Sequence, residues 1–197
     1  MKAVISIILA IGLQTASAWA DNNAMDEINP FDPKIEQTLE QMDLDYEAST
    51  GQAAILNLMK PFGPACYQIE CTIFLDISKD TQRMNFYFNG VLQATWPVST
   101  GAAGFATPDF DTNPNGRIYD SYTSTKYPGG DYNGLGNMPY AIFIDGGFAV
   151  HGTGESNWPK LGKRASHGCI RVHPENAKVI NRLVRQYGIY QTWITVH

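Results

Sequence analysis

The run Ser166-His167-Gly168-Cys169 places a thiol one residue after a glycine and two after an imidazole. A thiol attacks a carbonyl only as the thiolate, so it needs a lowered pKa or a base within reach. Gly168 permits a tight turn and a close backbone approach, which lets the N–H groups of Gly168 and Cys169 face a developing oxyanion. Two histidines are candidate bases. His167 is close in sequence, but reaching the sulfur while leaving Gly168 room is awkward, which suits it to a structural or oxyanion-side role. His151 ends the run Phe148–His151, read as a strand, and a strand end beside a loop is a rigid mount. From there it can take the thiol proton and return it to a leaving amine. Set against this is a buried, inert Cys169, the commoner fate of a single cysteine.

The neighbours have two readings each. Ser166 suits a turn. Arg171 carries a planar fork that fits a substrate carboxylate, or equally a surface ion pair. His173 stands before Pro174 at a helix-cap position, where histidine is not favoured, and reads as a partly exposed ring. Zinc is a rival use of His151, His167, Cys169 and His173. The spacing lacks a Cys-x-x-Cys or His-x-x-x-His pair, and Pro174 keeps Cys169 and His173 off one helical face. Zinc is therefore not expected here.

The elements that must hold these groups read as mainly β. Ile69–Ser78 is a strand rich in Ile, Phe, Leu and Thr; Met84, Phe86 and Phe88 alternate in the next. Asn89-Gly90 is a hairpin signal, with Val91–Ser99 returning. The stretch 100–137 is loop-rich, with short strands expected near Arg117–Ser124. Met138–Ile144 and Phe148–His151 form a second hairpin around Asp145-Gly146, and 152–168 is a loop. Pro174 opens a helix to Tyr187, stopped by Gly188, and Gln191–Val196 closes as a strand. Upstream, Asp32-Pro33 starts a helix carrying Ile35, Leu39, Met42 and Tyr46 on one side and ending near Ala48. A second helical run is expected over Gln52–Lys60. The expected fold is a β-sandwich or barrel with a packed C-terminal helix and a short N-terminal helical segment.

Bulk properties narrow the function classes. A chain of 197 residues fits one domain with a small appendage. Its net charge of −5 gives no electrostatic footprint for nucleic acid. Met1-Lys2, the apolar stretch Ala3–Leu13 and Ala18-Trp19-Ala20 read as a secretory signal peptide over residues 1–20. No membrane span is expected after its cleavage, and the mature chain is expected outside the cytoplasm. Three cysteines then leave one thiol over in an oxidising compartment. Cys66 and Cys71 would stand about 16 Å apart if extended, so a bridge between them requires a turn. The division expected is 1–20 signal peptide, 21–64 partly helical extension and 65–197 catalytic domain.

His151-Gly152-Thr153, a spacer of fourteen residues from Gly152 to Ala165, and Ser166-His167-Gly168-Cys169-Ile170-Arg171 together resemble the signature of L,D-transpeptidases of the YkuD type. Ile73–Ser78, Gln82-Arg83, Asn89-Gly90, Pro97–Gly101, Thr107-Pro108 and Met138–Phe143 follow the family's order of strands and turns, so that the likeness covers about residues 69–196. The family's Thr-Pro-x-Gly is stretched here, with Pro114-Asn115-Gly116 distant from Thr107-Pro108. The resemblance implies a cysteine acyltransferase acting on peptidoglycan stem peptides in the periplasm. Cys169 would form a thioester with a tetrapeptide stem and release D-Ala. An amine would then accept the acyl group, from another stem in a 3–3 cross-link or from an envelope protein. It also implies His151 as acid and base, Gly152 as the group orienting its ring through its carbonyl, Ser166, His167 and Gly168 at the oxyanion and substrate side, Arg171 at the substrate carboxylate, and no metal or organic cofactor. A carboxypeptidase or hydrolase of stems or protein–wall links is the alternative with the same chemistry. A non-catalytic wall-binding module is the alternative of another class.

Overall fold

The computed structural model describes residues 28–56, 66–122 and 131–197; the expected signal peptide lies outside them. Two β-sheets and two α-helices build the domain. The strands are β1 (Ile73–Ser78), β2 (Arg83–Phe88), β3 (Val91–Pro97), β4 (Phe110–Thr112), β5 (Ile142–Asp145), β6 (Phe148–Gly152), β7 (Ile170–Val172) and β8 (Thr192–Val196). The helices are α1 (Ile35–Thr50) and α2 (Pro174–Tyr187). One sheet runs β3-β2-β1-β8-β4 and the other β5-β6-β7. The mainly-β architecture expected from the sequence is the one found.

Side-chain alternation along the smaller sheet sorts its residues into two cores. Ile142, Ile144, Val150, Ile170 and Val172 pack with Ile73, Leu75, Ile77, Ile194 and the α2 residues Ala177, Ile180 and Val184. The opposite face presents Phe143, Ala149 and Cys169 to Leu39, Met42 and Tyr46 of α1. The smaller sheet is therefore a middle layer, and the candidate nucleophile lies on its α1 side. Leu39, Met42 and Tyr46 are each fully covered, worth about 1.5–3 kcal/mol per side chain.

Several boundaries differ from expectation for local reasons. Helix α1 begins at Ile35, not Pro33, because the Asp32 side chain and carbonyl accept the N–H groups of Lys34 and Ile35 in a preceding turn. It ends at Gly51 with φ +68, a conformation glycine adopts cheaply. The expected helix over 52–60 is absent from its described part: Ile118 N–H bonds Ala54 O and Leu56 N–H bonds Gly116 O, so the segment is recruited by residues 116–118. The rest of that run lies outside the described residues. The strand expected over Ile69–Ser78 starts only at Ile73, after a 3₁₀ turn at Gln68–Glu70. That turn brings the Cα atoms of Cys66 and Cys71 to 5.0 Å, and the two form a disulfide. Likewise β5 begins at Ile142, since Met138–Tyr140 form a turn in which Tyr140 has φ +59. The loop expected after β6 contains a 3₁₀ helix, Glu155–Lys160. His173 does cap α2, its Nδ1 accepting the Glu175 N–H at 3.4 Å.

A largely buried ion pair fastens α1 to the domain. Arg117 donates to Asp43 through Nε and Nη2, both at 2.8 Å, and the Tyr119 hydroxyl donates to the same carboxylate. Burial, reinforced by that bond to Asp43, pushes the Tyr119 pKa up and keeps the phenol protonated. Asp43→Ala strands the Arg117 cation and is expected to lower stability by about 2–3 kcal/mol, discounted for its partial exposure. Urea unfolding of the variant checks this; an unchanged midpoint would contradict it.

Candidate active site

The parallel pairing of β6 with β7 places the key groups. Val150 pairs with Ile170 and His151 with Arg171. Cys169, two residues before Arg171, therefore shares a face with His151. Diagonal neighbours on adjacent strands have backbones about 8 Å apart from strand spacing and rise, a gap that a cysteine and a histidine side chain together can bridge. The His151 Nδ1 lies 2.7 Å from its neighbour's carbonyl, Gly152 O. A carbonyl only accepts, so Nδ1 carries the proton and Nε2 is the basic atom. A side chain at Gly152 would fall 2.8 Å from Pro174 Cα and 3.0 Å from Pro139, which keeps this position small.

Cys169 sits at the end of a loop shaped by its own hydrogen bonds. Ser166 Oγ donates to Cys169 O at 2.5 Å and accepts the Gly168 N–H at 3.2 Å. The Gly168 N–H is thus engaged inside the loop. Gly168 has φ +116, a region that glycine enters without strain. Thr100 O accepts the N–H groups of Ala165 and Ser166, and Ser166 O accepts from Ala102. The Cys169 thiol donates to Gly147 O at 3.4 Å, a carbonyl in the β5–β6 turn. Both Cys169 and His151 have 0 % of their surface exposed.

The other expected residues separate by position. Arg171 is buried, and its Nη1 donates to Ala165 O at 2.9 Å, bracing the loop. His167 is half-buried, with its ring edge-on to Phe105 at 4.9 Å. His173 lies apart, tilted against Trp158 at 4.5 Å. Among the described residues, no three His, Cys, Asp or Glu side chains converge as a metal site needs.

Two supporting residues were quoted in the sequence only as parts of a pattern. Thr107 Oγ1 donates to Gly168 O at 2.7 Å and accepts the Gly101 N–H at 2.9 Å. Buried Gln82 accepts the Thr100 N–H at 2.9 Å and donates to Thr100 Oγ1 at 2.6 Å. A threonine before a proline and a polar residue in a turn are weak signals alone, because their partners lie far along the chain.

Comparison with known proteins identifies the domain. The L,D-transpeptidase catalytic domain family, YkuD, matches residues 72–190. No curated protein sequence matches the chain. An L,D-transpeptidase from Mycobacterium smegmatis has a similar structure, with a TM-score of 0.52 at 19% identity over 64% of this chain and 59% of that one. For an L,D-transpeptidase from Mycobacterium tuberculosis H37Rv the values are 0.51, 20%, 64% and 58%. For the L,D-transpeptidase LdtMt1, solved in complex with imipenem, they are 0.52, 20%, 64% and 59%. The chain thus spans 58–59% of the length of these proteins, and at such identity the likeness is one of fold. With the family's pattern matched over more than half its length, the chain belongs to the L,D-transpeptidase catalytic domain family.

Proposed function

We propose that the protein is a peptidoglycan L,D-transpeptidase working through a cysteine thioester. The observation that carries the reading is the site itself: Cys169 and His151 share one face of paired strands, and the His151 Nδ1 is held by Gly152 O at 2.7 Å. Membership of the family supports the reaction class.

In this reading His151 Nε2 takes the thiol proton, and the Cys169 sulfur attacks the carbonyl joining the third stem residue to the terminal D-Ala. The tetrahedral intermediate places negative charge on the former carbonyl oxygen, which the backbone N–H of Cys169 stabilises. As the C–N bond breaks, His151 returns the proton to the leaving nitrogen and D-Ala departs as the amine. An acceptor amine then attacks the thioester, His151 removes a proton from that amine, and the thiol is restored. Gly152 O keeps Nδ1 protonated throughout, so the proton moves only at Nε2. Ser166 and Arg171 brace the loop, and His167 lines the oxyanion side beside Phe105. The acceptor is a stem amine in a 3–3 cross-link or a lysine of an envelope protein. Water in its place would make a carboxypeptidase. The N-terminal signal-like segment supports a periplasmic location, where such stems are found.

Cys169→Ala is expected to abolish D-Ala release from purified muropeptide tetrapeptides, and wild-type protein should yield a cross-linked dimer by mass spectrometry. Persistent D-Ala release by the variant would refute the assignment. A tripeptide as sole product would identify water as the acceptor.

A further inference from the structure

The thiol and base of the site have no exposed surface, and residues of the N-terminal extension lie against the two backbones beside the thiol. Pro30 is buried between the two backbones that flank the sulfur. A methyl group on Gly168 would lie 2.8 Å from Pro30 Cγ and 2.9 Å from Phe31 Cε2. One on Gly147, whose carbonyl accepts the Cys169 thiol, would lie 2.7 Å from Ile35 Cδ1 and 3.0 Å from Pro30 Cα. Ile28 belongs to the same apolar cluster as Cys169. The Phe31 ring stands edge-on to Phe148 at 5.3 Å and tilted to Phe105 at 6.3 Å, and Phe105 in turn packs on His167.

We propose that residues 28–34 form an intramolecular strap that occupies the approach to Cys169, so that a substrate reaches the thiol only after the strap has swung away. The proposal rests on the acyl-transfer reading of this site, because a nucleophile must come within bonding distance of a stem carbonyl. The strap is built to move separately from what holds it. Its shaping hydrogen bonds run within itself, from the N–H groups of Phe31 and Asp32 to Asn29 and from that of Lys34 to Asp32, or to the first turn of α1, where Asp32 O accepts the Ile35 N–H and Lys34 O the Thr38 N–H. Its hold on the site is apolar contact through Ile28, Pro30 and Phe31, and Phe31 is already 45% exposed. Behind it α1 is fixed by the Asp43–Arg117 pair, so the strap can swing, on opening the Asp32–Ile35 turn, while the helix stays docked.

Alkylation of the full chain by iodoacetamide reads strap opening directly, since Cys66 and Cys71 are bridged and Cys169 is the thiol outside that bridge. If the reactive state is the open one, the rate scales with its population. The double variant Pro30→Gly/Phe31→Ser is expected to alkylate at least about tenfold faster than wild type, at a closely similar melting temperature. Leu44→Ser, on the exposed side of α1, should leave the rate unchanged. Wild-type alkylation in a folded double variant would overturn the strap. Should that variant not fold, Phe31→Ala is read by the same criterion. Faster alkylation with no D-Ala release would uphold the strap and refute the proposed function. Unchanged alkylation with D-Ala release would do the reverse.

A second inference comes from Thr107. Its hydroxyl fixes the Gly168 carbonyl, and in a planar trans peptide the following N–H points the opposite way. We infer that Thr107 is a positioning residue that aims the Cys169 N–H at the oxyanion. Thr107→Val is expected to lower the rate of acylation by the tetrapeptide about tenfold to a hundredfold, by analogy with loss of an oxyanion donor. KM and the iodoacetamide rate, which involves no oxyanion, should hold. Thr107→Ser should restore acylation. Equal losses in both thiol reactions, or a Ser variant as impaired as the Val variant, would overturn this role. Wild-type protein that alkylates but never acylates would overturn both this inference and the proposed function.

Discussion

The parallel register between β6 and β7 is the constraint on which the site depends. Pairing His151 with Arg171 puts His151, Cys169 and Arg171 on one face and Val150, Ile170 and Val172 on the other. A slip of one residue along β7 would turn Cys169 and Arg171 into the apolar core between the sheets and Ile170 and Val172 out of it. The core thus enforces the placement of Cys169 and Arg171. Val150, Ile170 and Val172 are each almost wholly covered, and exposing them would cost about 1.5–3 kcal/mol apiece. Register is held from the far side too, because Ser99 and Arg171 exchange backbone hydrogen bonds at 2.9 Å in both directions.

From that register, each remaining piece adjusts a single atom. Gly152 O selects the protonated nitrogen of His151, Ser166 closes the turn that presents Cys169, and Thr107 sets the peptide plane before it. Gln82, through Thr100, ties the Ala165–Ser166 backbone to the β1–β2 turn. The N-terminal helix covers the same face of the sheet. Its Leu39, Met42 and Tyr46 complete the second core, and the segment before it lies over the reactive end of β6 and β7.

Much of this was legible in the sequence because it was local. Alternation marked β2, Asn89-Gly90 marked the hairpin, and Pro174 with Gly188 marked the ends of α2 almost to the residue. Cys169 and His151 were picked out by residue type, and the structure places them on one face of β6 and β7. What was not legible depended on distant partners. The segment after Gly51 looked helical by composition, yet its backbone is taken up by residues 116–118. His173 looked like a poor cap, but its ring nitrogen accepts the Glu175 N–H. Thr107 has local polarity and nothing more, since its partner Gly168 is 61 residues away. Nothing in the sequence of Asn29-Pro30-Phe31 signals that it folds back over Cys169, because that contact is apolar and long-range.

The central claim is that Cys169 and His151 act as one pair on a stem carbonyl. Rapid-quench mass spectrometry of intact protein mixed with tetrapeptide tests it most directly. The expected result is a transient adduct on Cys169, heavier than the protein by the tetrapeptide less D-Ala, which forms far more slowly in His151→Gln. An adduct on another residue, or one that forms at the wild-type rate in His151→Gln, would contradict the account.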